Sequence, residues 1–458
     1  MLVMKFGGSI LRSASDYEEI AEYLQEFVNT ERAVVVVSAM RGITDQLINL
    51  GEYAARGDEF RVKGLLSSIR EKHEEVCQQL GLSCKLLNEE LERLEKITIG
   101  ITYIGEITPG LRDLIASIGE NLSGGILSEL LQKRGIKSRF FTGGEAGIVT
   151  DDSYGEAHPL MKATRVYVRS NLLPILEDTV PVVAGFSGLS QEGKVTTLGR
   201  GGSDLTAVLL GSSLEVREVW LWSDVDGMLT ADPKIVKDAR LIKQISYREA
   251  IELAHFGAKR MHPRFLEPAI ATNTPIRIRN FFNRDCSGTL ISSREVIREE
   301  GVVKAVGLRK DVAILTVRGA GMVGRPGTAA KLFSILGENR INIMMISQSI
   351  SESDISVVVE RDNAERARGI IEARLLGPIY REVLLDRNCA VLAAIGAGMR
   401  GTPGVAARVF DAVSSRGINV KMIAQGSSEV NISFVVDERD GEEAVRAIHS
   451  EFSLGKAD

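Results

Sequence analysis

Cysteine and histidine are scarce. The four cysteines, Cys77, Cys84, Cys286 and Cys389, form no C-x-x-C pair, so free buried thiols are expected rather than a disulfide framework or a zinc site. The five histidines are scattered, and no metal held by protein side chains alone is expected. There is no basic excess: 56 Lys and Arg against 61 Asp and Glu leave a net charge of −5, which argues against a nucleic-acid partner. No apolar run reaches the ~18 residues that a membrane span needs. The opening MLVMKFGG is too short in its apolar part for a signal peptide, so a cytoplasmic location is expected. No G-x-x-x-x-G-K-[ST] occurs, so nucleotide phosphates are not held by that type of loop.

What is present suits a soluble globular protein of two or three domains, since 458 residues exceed one ordinary core. The N-terminal two thirds alternate strand-like and helix-like segments. Leu2 to Phe6, Ala33 to Val37, Val180 to Val183 and Val219 to Trp222 are apolar runs suited to buried parallel strands. Asp16 to Val28 has helical spacing with Asp16 or Ser15 as a cap, and Arg61 to Glu95 reads as helix. This βαβα order predicts an open α/β sheet sandwiched by helices.

Beyond Ser293 the pattern changes. Gly319-Ala320-Gly321-Met322-Val323-Gly324 matches G-x-G-x-x-G, the dinucleotide fingerprint, and the pattern returns 77 residues on at Gly396 to Gly401. The dinucleotide reading fails, because no carboxylate follows the second strand-like run before Glu352 or Glu429, and prolines follow at Pro326 and Pro403. The duplication is the stronger signal. Asn342 pairs with Asn419, Gln348 with Gln425, and Ile355 to Val359 with Ile432 to Val436, with no gap. Two copies of one small β-α-β-β-α unit follow, the first with a further strand-like stretch at Arg381 to Leu385. Asn342 is expected to start the next strand.

Four loops of the first part could carry chemistry. In Lys5-Phe6-Gly7-Gly8-Ser9, two glycines after a strand let backbone N–H groups approach an anion, and Lys5 can neutralise it. A tight turn beside a surface lysine explains it equally well. In Thr197-Leu198-Gly199-Arg200-Gly201-Gly202-Ser203-Asp204, glycines clear room, Arg200 can grip a carboxylate bidentately, and Asp204 could otherwise be a helix cap. Trp222-Ser223-Asp224-Val225-Asp226-Gly227 fails as an EF-hand, leaving a ligand-facing loop at a strand end or a plain acidic turn. Phe256-Gly257-Ala258-Lys259 could be a helix end beside a solvated charge.

Taken together and in order, these segments resemble the aspartate kinases. KFGGS resembles that family's KFGGTS, GRGGSD its substrate loop, WSDVDG its nucleotide loop, and FGAKRMHP its FGAK-x-x-HP segment. SAMRGIT (Ser38 to Thr44) and Ser117-Ile118-Gly119-Glu120 also match, and the tandem repeats look like ACT domains. The resemblance implies an amino-acid kinase domain over residues 1–297, then two α+β, ferredoxin-like ACT domains over 298–386 and 387–458. It implies transfer of the ATP γ-phosphoryl group to the β-carboxylate of L-aspartate, with Mg²⁺. Lys5 and Asp204 would be catalytic. Phe6, Gly7, Gly8, Ser223, Asp224, Leu229, Lys234, Lys259 and Arg260 would meet the nucleotide. Thr44, Glu120, Arg200, Gly201, Gly202 and Ser203 would bind aspartate, although Glu120 also reads as a helix-surface charge and Thr44 as a helix cap. An effector, lysine or threonine, would bind near Met322, Gly324, Gly327, Asn342 and Ile343, and ACT pairing implies a homodimer or larger. Ser9-Ile10, Leu229, Lys234 and Arg260 depart from the family's Thr-Ser, tyrosine, arginine and apolar residue. The rivals are a glutamate 5-kinase-like enzyme, a silent amino-acid sensor, and a fused kinase–dehydrogenase, for which no room is expected after the second repeat.

Overall fold

The computed structural model describes residues 1–83, 85–256, 262–295, 301–426 and 428–456. They divide into two compact units. The first holds Met1–Met228, Lys243–Tyr247 and the described residues from His262 to Arg294; the second holds Leu229–Ile242, the rest of the helix beginning at Tyr247, and the chain from Glu295 onward. The second unit therefore takes up two segments from inside the stretch expected to be one kinase domain.

In the first unit, the strands in chain order are β1 (Leu2–Phe6), β2 (Ala33–Val37), β3 (Ser138–Phe141), β4 (Val149–Thr150) and β5 (Val180–Ala184). They continue with β6 (Ser187–Ser190), β7 (Val195–Thr197), β8 (Glu218–Ser223), β9 (Gln244–Ser246), β10 (Ile276–Asn280) and β11 (Thr289–Ser292). Eight of them form one sheet in the order β3-β5-β2-β1-β8-β10-β11-β9, and β4-β6-β7 form a second, small one. From β3 to β10 every neighbouring pair in the large sheet is parallel. β1 and β2 are buried over nearly their whole length, as strands covered on both faces must be.

The helices are α1 (Ala14–Val28), α2 (Ile43–Ala55), α3 (Glu59–Leu80), α4 (Lys85–Ile104), α5 (Pro109–Lys133), α6 (Met161–Leu172), α7 (Gly202–Leu214), α8 (Tyr247–Phe256) and α9 (Leu266–Thr272). All thirteen residues of α7 are buried. The cap of α1 is Ser13, not Asp16 or Ser15; the Asp16 carboxylate lies one turn inside and accepts from the Ser13 and Arg12 amides. The single helix expected over Arg61 to Glu95 is two, because Gly81 takes a left-handed φ of 59° and ends α3. Cys77, in the buried last turn of α3, is disulfide-bonded, against the free thiol expected there, while Cys286 and Cys389 are free. His73 on the same helix is fully buried, with Nδ1 2.7 Å from the Ile69 carbonyl and Nε2 unpartnered, and burial pushes its pKa down to about 4.

The second unit is built on one antiparallel sheet. Its strands are β12 (Ala305–Arg318), β13 (Met345–Gln348), β14 (Asp354–Glu360), β15 (Glu382–Ile395), β16 (Val420–Ala424) and β17 (Asn431–Asp437), in the order β13-β14-β12-β15-β17-β16. Helices α10 (Thr328–Glu338), α11 (Arg361–Leu375), α12 (Val405–Ser414) and α13 (Gly441–Glu451) complete the two β-α-β-β-α copies. The sheet curls, so that Met345 and Met422 from its edge strands share a core with Val312, Val358, Val391 and Val435. The further strand-like stretch of the first copy, Arg381 to Leu385, is strand from Glu382 on: it pairs with the end of β12, and the same strand, β15, runs on to open the second copy. The copies interleave. The first half of β12 pairs with the second half of β15, and the second half of β12 with the start of β15. Val303 and Val306 lie in the core of the second copy, whereas Tyr380 and Val383 lie in that of the first. A boundary after residue 386 cuts through β15.

Candidate active site

In a parallel sheet the carboxyl ends of the strands, and the loops that leave them, lie on one edge. Here that edge gathers the loops after β1 (Gly7, Gly8), β2 (Ser38 to Gly42), β5 (Gly185, Phe186), β8 (Ser223 to Asp226) and β10. Adjacent-strand order alone brings together segments far apart in sequence.

At the end of β1, Lys5 Nζ meets Asp204 Oδ1 at 2.6 Å, with both side chains largely buried. Asp204 stands in the first turn of α7, whose N-cap, Gly201, has a left-handed φ of 71°. Asp204 is therefore an ion-pair partner of Lys5 rather than the helix cap. Gly7 donates its amide to the Trp222 carbonyl at 3.3 Å, joining the Gly-Gly loop to the end of β8. A Cβ on Gly8 would stand 2.8 Å from the Ala39 carbonyl oxygen, and one on Gly119 2.8 Å from the Ala39 side chain. Only glycines allow this approach, and it presses the loop after β2 between β1 and α5. Phe6 itself is fully buried, edge-on to Phe281, so its backbone alone can line a site.

Glu120 follows Gly119 on α5 and is 3 % exposed, not the helix-surface charge it could have been. Its Oε2 has no hydrogen-bond partner. Burial pushes its pKa up to about 8, opposed by the Ala39 amide and the charge of Lys5. A buried carboxyl left half unpartnered is costly unless something else binds it. Thr44 is not the cap of α2; Gly42 is, at φ 83°, and Thr44 stands half-buried in the first turn. Arg200 is exposed and forms no salt bridge among the described residues. Gly202 and Ser203 are buried, with Ser203 packed against Gly185.

Ser223 and Asp224 leave the end of β8 half-buried. Asp226 accepts from Asn280 Nδ2 at 2.8 Å and Asn283 Nδ2 at 3.1 Å, tying the loop after β8 to the loop after β10. Leu229 and Lys234 belong to the second unit; Leu229 bridges to Leu241, and Lys234 is exposed with its amide bonded to Asp232 Oδ1. Lys259, Arg260 and the helix end expected at Gly257 lie outside the described residues.

Two features escaped the sequence reading. Phe186, just past β5, has a φ of 70°, uncommon for a side chain of its size, and its amide donates to Thr206 Oγ1 at 3.1 Å. The signal in the sequence was a glycine at a strand end, Gly185. Asp113 on α5 is buried and accepts from the Gly155 and Thr197 amides at 2.9 and 2.7 Å; nothing local in the sequence marks it.

In the second unit, Met322 is fully buried in the first copy's core, Gly324 and Gly327 take left-handed φ values of 65° and 85°, and Asn342 is exposed. Asn342 and Ile343 precede the strand, which starts at Met345. In the second copy, a cavity of about 360 Å³ lies beside the equivalent loop, lined by Met399, Gly401, Thr402, Gly404, Gln425 and Glu429.

The amino acid kinase family model matches residues 1–280, and an ACT domain model matches 315–375 and 392–452. Over 463 residues the chain is 35% identical to the chloroplastic aspartokinase 2 of Arabidopsis thaliana, covering 98% of this chain and 84% of that one. Among solved structures, Escherichia coli aspartokinase III in complex with aspartate and ADP superposes with a TM-score of 0.83 at 30% identity, covering 99% of this chain and all of that one. The same enzyme with lysine and aspartate gives 0.80, and the aspartate kinase of Clostridium acetobutylicum gives 0.82 at 27% identity, each covering 99% of this chain.

Proposed function

As the chain belongs to the aspartokinases of the amino acid kinase family, we infer that it transfers the γ-phosphoryl group of ATP to the β-carboxylate of L-aspartate, giving 4-phospho-L-aspartate and ADP. This is the first step toward lysine, threonine, methionine and isoleucine. The observation that carries the reading is the buried Lys5–Asp204 pair at the carboxyl edge of the sheet, with Glu120 half unpartnered on the neighbouring helix.

The chemistry asks little of the protein beyond placement. The nucleophile is a carboxylate, already ionised at neutral pH, so no base has to activate it. The transferring phosphoryl group spreads negative charge over its oxygens, and catalysis lies in aligning it and offsetting that charge. Lys5 offsets the charge, and Asp204 holds the Lys5 ammonium in place. Gly7 and Gly8 let the phosphates approach the backbone. Arg200 takes the α-carboxylate of aspartate, Glu120 its ammonium and Thr44 its reacting end, with Gly201, Gly202 and Ser203 lining the pocket. Ser223 and Asp224 meet the nucleoside. For Phe6, Leu229, Lys234, Lys259 and Arg260, a nucleotide role rests on the family resemblance. Mg²⁺, entering with ATP, would supply further positive charge against that of the phosphates. Among the described residues no group of three or more His, Cys, Asp or Glu is placed to hold a metal ion.

The ACT copies supply regulation, with lysine or threonine as effector beside the glycine loops, and pairing of these copies makes the protein a homodimer or larger assembly. We place the enzyme in the cytoplasm; among the described residues no helix is long and apolar enough to cross a membrane. A hydroxamate assay with aspartate and glutamate side by side tests the reading. Aspartyl hydroxamate is the expected product. Product from glutamate alone, or amino-acid binding with no ADP released, would overturn it.

A further inference from the structure

Asp113 stands one turn into α5, is 2 % exposed, and pairs with no cation in a salt bridge among the described residues. Its Oδ2 accepts the Gly155 amide at 2.9 Å and the Thr197 amide at 2.7 Å; burial holds its pKa above the usual carboxylate value, and these bonds oppose that push. An uncompensated buried carboxylate is expensive, and two charge-assisted bonds to backbone are the compensation on view.

Both amides belong to the frame of the substrate loop. Thr197 ends β7, and the chain runs straight on through Leu198 and Gly199 to Arg200. The Thr197 carbonyl accepts the Ala157 amide at 2.9 Å, and a Cβ on Gly199 would meet the Gly155 carbonyl oxygen at 3.1 Å. Arg264 closes the frame by donating to the carbonyls of Leu198 at 3.2 Å and Ala157 at 3.0 Å. Segments 155–157 and 197–199 thus form one pad, joined to α5 through Asp113. Glu120 lies two turns further along that helix, on the same face. One rigid element therefore sets where the Arg200 loop begins and where the Glu120 carboxyl stands.

We propose that Asp113 is a positioning residue that sets the spacing between Arg200 and Glu120, and through it the fit of the α-amino-acid end of the substrate. The proposal rests on the assignment of Arg200 to the α-carboxylate of aspartate.

The test is steady-state kinetics of Asp113→Ala, Asp113→Asn, Arg200→Ala and the double variant Asp113→Ala/Arg200→Ala. Misplacing a binding group by about 1 Å costs up to ~10²-fold, so Asp113→Ala should raise the KM for aspartate roughly ten- to hundredfold and leave the KM for ATP unchanged. Asp113→Asn keeps an acceptor oxygen without the charge and should fall between wild type and Asp113→Ala. In the Arg200→Ala background, Asp113→Ala should add little, because its effect is exerted through Arg200. Equal rises for both substrates, or full additivity in the double variant, overturn the proposal and leave Asp113 a structural residue. An aspartate KM that moves in Arg200→Ala but not in Asp113→Ala overturns it alone. An unmoved aspartate KM in Arg200→Ala removes both the Arg200 assignment and the proposal. Should Asp113→Ala not fold, Asp113→Asn decides by its aspartate-to-ATP ratio of KM changes and by its own cycle with Arg200→Ala.

Discussion

Glu120 offers the sharpest test of the proposed site, because a carboxyl so buried, if it takes the substrate ammonium, makes substrate binding depend on pH. With a pKa near 8, the carboxyl is about nine-tenths protonated at pH 7 in the empty enzyme. An ammonium group needs it ionised. Each pH unit below the pKa adds about 1.4 kcal/mol to the cost of that ionisation, so the KM for aspartate should fall about tenfold between pH 6 and pH 7. The gain should taper as the pH passes 8, and the KM for ATP should not follow it. Glu120→Gln removes the titrating group while preserving shape. The variant should lose the slope. At pH 8 it should also bind aspartate more weakly, by the ~1.5–3 kcal/mol of a hydrogen bond to a charged group. Initial rates from pH 6 to 9 at saturating ATP, with ADP release as readout, measure both effects. A flat aspartate KM in the wild type would mean that Glu120 is ionised without substrate. The same slope in Glu120→Gln would mean that another group titrates.

Two further outcomes are expected. Lys5→Ala should lower kcat by roughly 10²-fold or more, the scale of losing one preorganised charge stabiliser, and near-normal turnover by a folded variant would take Lys5 out of the mechanism. His73 bears on stability. Its folded-state pKa, about 4, lies below the 6.5 of an unfolded histidine, so the unfolded chain gains a proton first as the pH falls. Folding should therefore lose up to roughly 3 kcal/mol between pH 6.5 and 4 through this residue. His73→Leu should lose that component of the Tm profile, and parallel Tm-against-pH curves for the two proteins would refute the reading.

Much of the candidate site could be proposed from sequence because its chemistry is written in short, local patterns. A glycine pair after a strand marks close backbone approach, and KFGG and GRGGSD signal it without reference to anything distant. The internal repeat was legible for a related reason: a duplicated unit keeps its apolar period and its turn residues. Helix ends were read less well, since Gly81 could be a turn or an ordinary helix residue until the packing of α3 and α4 decided. The same holds for Glu120 and Thr44. Alone they read as a surface charge and a cap, and only burial and the conformation of Gly42 set those readings aside.

The sequence by itself determined the element types, the two-copy second half and the Lys5, Arg200 and Asp204 set, because backbone preference and side-chain chemistry are local properties. Tertiary structure decided what depends on which segments become neighbours. Parallel pairing of β1 with both β2 and β8 puts the Gly-Gly loop beside Ser223, and the placement of α7 brings Asp204 within 2.6 Å of Lys5. The register between β12 and β15 weaves the two copies through one sheet. The two amides on Asp113 come from residues 42 and 84 positions away. Burial and strand register are properties of the whole chain, and no window of sequence contains them.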